Sequence, residues 1–140
     1  MKRFVVFGVL IFTLLLLGCE TIPEKKDNAP EVKSQWFDNN FLGLSIEIDP
    51  SGEIPPYTRA SKAVFPEAKR IVKTNGSRYY GLVASDYKDH DLYFNNLFLG
   101  KKRIYAFVYY VFPSDFNNRE NFVGTEWNTS EGKIIVEDVN

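Results

Sequence analysis

The chain holds a single cysteine and a single histidine among its 140 residues. One cysteine excludes an internal disulfide, and one histidine excludes a histidine-rich metal site. An excess of either charge is also missing. The 17 basic side chains stand against 18 acidic ones, a formal net charge of −1. Such a chain offers no basic field for sequence-independent nucleic-acid binding, so no nucleic-acid partner is expected. Catalytic signatures are absent too: there is no Gly-x-Ser-x-Gly, phosphate loop, His-Glu-x-x-His or dinucleotide fingerprint. These absences point to a protein that is not an enzyme and needs no cofactor. A hydrophobic fraction of 44% is nevertheless too high for a disordered chain, and the length suits one domain.

The N-terminus carries the most legible signal. Lys2 and Arg3 precede an uncharged apolar run over residues 4–17. As a helix, that run would span roughly 21 Å, short of the ~30 Å hydrocarbon core of a bilayer. It is too short for a permanent span and suits the core of a signal peptide. The run ends in Leu16-Leu17-Gly18-Cys19. Small Gly18 lets a peptidase approach the backbone, and Cys19 supplies a thiol that can be alkylated. This segment resembles the signal peptide of bacterial lipoproteins, and the four residues resemble their lipobox. The resemblance covers residues 1–19 and does not extend to the domain behind them.

It implies that Cys19 receives a diacylglyceryl group, that cleavage falls between Gly18 and Cys19, and that the new amino terminus is acylated. One acyl chain holds a protein only marginally, whereas two or more anchor it stably. The expected location is therefore the bacterial cell envelope, with the membrane held through acylated Cys19. In a Gram-negative host the outer membrane is expected rather than the inner. Lipidation would also consume the only thiol and exclude cysteine catalysis.

Residues 1–18 are thus assigned to the signal and 19–34 to the lipidated N-terminus and a flexible tether. The tether is polar, with Pro23 and Pro30, and buries too little apolar surface to offset its ordering entropy. Residues 35–140 are assigned to one β-rich domain. Leu42, Leu44, Ile46 and Ile48 alternate with polar or small residues, the pattern of a half-buried strand. Further strands are predicted over 77–87, 92–99, 103–112 and 133–139, with a weaker one near 121–127. The 103–112 strand is apolar on both faces and is expected to be central and covered on both sides. Gly100-Lys101-Lys102 is the expected hairpin connection into it. One short helix is predicted over 66–73, starting at Pro66, with 49–61 as a loop. The fold class is α+β, mainly β: an antiparallel sheet of five or six strands, a sandwich or partly open barrel, with one short helix.

Asp86, Asp89, His90 and Asp91 could hold a hard cation, but their spacing matches no EF-hand loop. They are read as a solvated turn between two strands. Aromatics are dense beyond the signal, and Tyr79, Tyr80, Tyr105, Tyr109 and Trp127 are candidate contacts for a ligand or partner. The functional expectation is an anchored, non-enzymatic lipoprotein presenting its domain to another envelope protein. The alternative is a lipocalin-like or sensor-type binder of a small apolar or glycan ligand.

Overall fold

The computed structural model describes residues 30–117 and 120–140. The expected signal segment, Cys19 and most of the expected tether lie outside the described residues. Among the described residues, seven strands and one helix follow in chain order: β1 (Val32–Trp36), β2 (Phe41–Ile48), α1 (Pro56–Thr74), β3 (Tyr79–Phe94), β4 (Leu97–Val111), β5 (Glu126–Thr129), β6 (Gly132–Ile135) and β7 (Glu137–Asp138). Five strands form one antiparallel sheet in the order β1-β2-β4-β3-β7, and β5–β6 form a separate hairpin. The class expected from the sequence is the one observed, and the sheet is not closed into a barrel. Pairing in β1 begins at Val32, three residues before the expected start of the domain.

The core lies between α1 and one face of the sheet. Period-2 alternation buries Leu42, Leu44, Ile46 and Ile48 of β2. It also buries Tyr105, Phe107, Tyr109 and Val111 of β4. Against them α1 sets Ala60, Val64, Ala68 and Val72, all four fully buried. These positions are four apart and stack along one face of a helix. Two of them are alanines, so the helix sits close to the large rings of β4.

This stripe explains why α1 is longer than expected. The predicted helix starts at Pro66, yet Pro66 lies inside the observed one and Pro56 opens it. Pro66 removes one backbone hydrogen bond, but the buried stripe runs through it on both sides and favours a continuous helix. Arg59 donates to the carbonyls of Asp49, Ser51 and Ile54, tying down the short connection from β2 that remains of the expected loop.

The largest departure is at β3 and β4. The strands predicted over 77–87 and 92–99 belong to one strand and part of the next. The connection sits at Asn95-Asn96, with φ of 47° and 63°, the two left-handed residues of a tight hairpin that asparagine tolerates. Gly100, expected in the connection, instead lies in β4 with φ of 149°, beside an irregularity in register between Leu92 and Tyr93. Central placement of β4 is observed, but coverage on both faces is confined to one end. Away from α1, Ile104 and Ala106 are exposed and Val108 is half-buried.

At that covered end a second cluster gathers Tyr79, Phe112, Phe122, Ile134 and Val136 beneath the β5–β6 hairpin. Gly81 permits the approach. A Cβ there would lie 2.6 Å from the Ile135 carbonyl oxygen and 2.8 Å from the Ile134 Cβ. Gly81→Ala should therefore push β6 off the sheet and cost about 1–3 kcal/mol, the overpacking range. Phe107→Ala should cost about 3–5 kcal/mol by opening a cavity under α1. Thermal and urea unfolding followed by circular dichroism measures both.

Candidate functional site: a projecting β-hairpin

Strand β2 ends opposite Arg103, while β3 and β4 continue pairing to the Asn95-Asn96 turn. Strand β7 pairs only with Tyr79 and Tyr80 at the other end of β3. The last part of the β3–β4 hairpin therefore projects as a two-stranded arm. Its five residue pairs past Arg103, from His90↔Lys102 to Phe94↔Leu97, extend it by roughly 17 Å.

The tip of the arm is apolar on both faces. Tyr93, Phe94, Leu97, Phe98 and Leu99 are each between 54% and 67% exposed. Tyr93 and Phe98 pair across the strands, with ring centroids 5.8 Å apart in an edge-on contact. Phe94 and Leu97 form the adjacent pair, and alternation turns them to the opposite face. The three rings alone leave about 350 Å² of apolar surface in water, the scale of patches that mark interaction sites.

The stem is charged and braced. Asp89 accepts a hydrogen bond from Arg103 Nε at 2.6 Å. Lys101 Nζ lies 3.9 Å from Asp91. The Arg103 guanidinium sits 4.2 Å from the centre of the Tyr87 ring, within cation–π range. Arg103 holds the Asp89 carboxyl below the usual carboxylate range, mainly through that hydrogen bond. Lys88, His90 and Lys102 fall on the opposite face by alternation.

The residues read as a turn are thus strand residues. Asp89 and Asp91 face one way and Asp86 and His90 the other, so they do not converge. No group of three or more His, Cys, Asp or Glu side chains able to hold a metal gathers among the described residues.

The aromatic candidates are placed elsewhere. Tyr105 is buried beside Tyr57 and Phe107, with centroids 5.9 Å and 6.4 Å away. Tyr79 is buried in the second cluster, against Phe122 at 5.2 Å. Trp127 packs at 5.3 Å from Phe112 and 5.7 Å from Phe122, and stays partly exposed. Tyr80 and Tyr109 pack together at 5.9 Å. They line a cleft of about 320 Å³ with Phe65, Leu82, Ile135 and Glu137. A connection expected at 100–102 hides the tip residues from a reading of the sequence, because it assigns 97–99 to the preceding strand. Two adjacent asparagines between the apolar runs 92–94 and 97–99 were the available signal.

The arm's ion pair gives a pH dependence of definite sign. Asp89 titrates lower in the folded state, so its contribution is fully present above the ordinary value of about 3.9 and fades as pH falls through the lowered one. The carboxyl ¹³C resonance of Asp89 should titrate below that ordinary value. In Arg103→Gln it should move back up towards it. An unchanged midpoint would show that the pair does not form in solution.

Compared with protein-family models, curated proteins and solved structures, the chain matches none, so the functional reading rests on the geometry of these residues.

Proposed function

We propose that this protein is a membrane-anchored lipoprotein of the bacterial cell envelope that acts without catalysis, docking the β3–β4 arm onto another envelope protein. The observation that carries the reading is the arm's tip. Five large apolar side chains project from the sheet, exposed on both faces, on a stem braced by ion pairs. A patch exposed on one face could rest on a flat surface. One exposed on both faces is best covered by a socket that surrounds it. At about 25 cal/mol per Å², burying even part of it favours docking by several kcal/mol. The short two-residue turn and paired strands hold the tip in shape before binding, so little ordering cost remains at that step.

The N-terminal signal supports the anchor. Residues 20–31, fully extended, would let the domain reach at most about 40 Å from a lipidated Cys19, so the arm would meet partners near that membrane. The alternative, a cup-shaped ligand carrier, has less support because the sheet is not closed into a barrel.

Two measurements test the parts separately. Cys19→Ala should abolish metabolic labelling with a fatty acid; persistent labelling would contradict lipidation at that residue. Leu97→Ser combined with Phe98→Ser should leave stability within about 0.5 kcal/mol, because both side chains are exposed. The double variant should nonetheless lose the covalent adduct formed in cells by a photo-crosslinker at position 93. An adduct that survives this change, or that forms equally from exposed Lys62, would contradict docking through the tip.

A further inference from the structure

At the end of the sheet away from the arm, three chain segments surround a cleft of about 520 Å³. They are the β1–β2 turn with Trp36 and Asn40, the chain leaving α1 at Asn75 and Ser77, and Ser114 beyond β4. Bonds of the fold pin the first two. Asp38 Oδ1 accepts the backbone N–H groups of Asn40 and Phe41 at 2.6 Å and 2.9 Å, which closes the turn. The Asn40 side chain donates to the Val111 carbonyl oxygen at 3.1 Å and ties the turn to the end of β4. The backbone N–H groups of Asn75 and Ser77 donate to the carbonyls of Ile71 and Val72. Much of the cleft is therefore shaped before anything enters it, which keeps the ordering cost of binding low.

These bonds leave polar groups of the cleft unused. Ser77 is 5% exposed yet lines the cleft. Its hydroxyl oxygen accepts from the Asn75 amide at 3.4 Å, while its own proton meets no acceptor among the described residues. Asn40 and Asn75 use amide N–H groups in these bonds and keep their carbonyl oxygens. Asp38 keeps Oδ2, since both turn N–H groups go to Oδ1.

Trp36 supplies an apolar wall. With Asn75 it also lines a neighbouring cleft of about 260 Å³ against Ile71 and Thr74 of α1, so the indole stands as a ledge between the two spaces. The charge around the larger cleft is negative and small. Asp38 is the one charged side chain among the described residues that line it. The carbonyl end of α1 lies beside it and adds partial negative charge.

We propose that this cleft binds a sugar ring of a neutral glycan, with the pyranose face on Trp36 and the ring hydroxyls bonded to Asn40, Asn75, Ser77 and Asp38 Oδ2. The chemistry selects the ligand. A sugar hydroxyl both donates and accepts, so it can serve amide carbonyls and the serine O–H together. The C–H face of a pyranose is apolar and matches the large, rigid surface of an indole. An anion would meet Asp38 and the negative helix end. A purely apolar molecule would strip water from the amides and the hydroxyl without replacing it. The volume of about 520 Å³ is that of an ordinary small-molecule site and has room for a ring with its substituents. The site is independent of the docking reading. It lies at the other end of β3 and β4 from the tip, so a glycan and a protein partner can be held at once.

The test is ¹H–¹⁵N NMR of the full chain in a sugar-free detergent, reading the Trp36 indole N–H and the side-chain amides of Asn40 and Asn75. The probes are glucose, N-acetylglucosamine, glucose 6-phosphate and cyclohexanol. Glucose or N-acetylglucosamine should shift all three groups saturably in the millimolar range. Whichever of the two binds more tightly tells whether the cleft takes a hydroxyl or an acetamido substituent. The phosphate ester should bind more weakly than glucose, and cyclohexanol should not saturate.

Trp36→Ala should abolish the shifts. Because Trp36 also packs against the core, exposed Asn75 gives a second variant that keeps the fold. Asn75→Ala should weaken sugar binding about fivefold or more. No saturable shift with either sugar, equal binding of cyclohexanol, tighter binding of the phosphate ester, or an unchanged affinity in Asn75→Ala would overturn the proposal.

Discussion

Everything in this domain depends on β4. Its row of Tyr105, Phe107, Tyr109 and Val111 is buried between two strands and one helix. The rings are large, and α1 answers with small or branched residues at every fourth position. This match of large against small sets how closely the helix lies on the sheet. It also keeps the helix continuous through Pro66, because a break there would separate Val64 from Ala68 and open the core to water. A cavity under any of these rings would cost several kcal/mol, a large part of what a domain of this size has.

The exposed tip and the cleft beside Tyr80 both follow from where that packing stops. Helix α1 is centred on the β2–β4 side, so the β3–β7 side of the same face keeps an open cleft. Strand β2 ends at Ile48, but β3 and β4 continue to their turn and carry an apolar tip into solvent. The arm needs neither helix nor sheet neighbour for its shape. Its own ladder, the Asp89–Arg103 pair and the Tyr87–Arg103 stacking brace it. The second cluster, clamped over Gly81 by the β5–β6 hairpin, holds the opposite end of β3 and β4 on the face away from α1.

Much of the sheet was legible because β2 alternates cleanly and its polar positions face outward. The central position of β4 was legible from its apolar character, but not which face was covered. When both faces of a strand are apolar, periodicity cannot say which one meets the helix, so Tyr105 and Tyr109 read as contacts although they are core. The helix is longer than its sequence suggests because Pro55, Pro56 and Pro66 mask a four-residue stripe of Ala and Val. The arm does not read as one hairpin in the sequence, because Asp86 to Asp91 resemble a turn in composition and Gly100 resembles a hairpin glycine. Register irregularities at Val83 and Leu99 break the alternation that would have joined the pieces.

The central claim is that the arm's tip is covered by a partner in the cell. Phe98→Cys would introduce a thiol at the tip of a chain whose native cysteine is proposed to be lipidated, and the rate of maleimide labelling at residue 98 reads the tip directly. The account predicts slow labelling in intact envelopes and fast labelling once the protein is purified in mild detergent, with a cysteine at exposed position 62 labelled equally fast in both. Equal rates at position 98 before and after purification would contradict it.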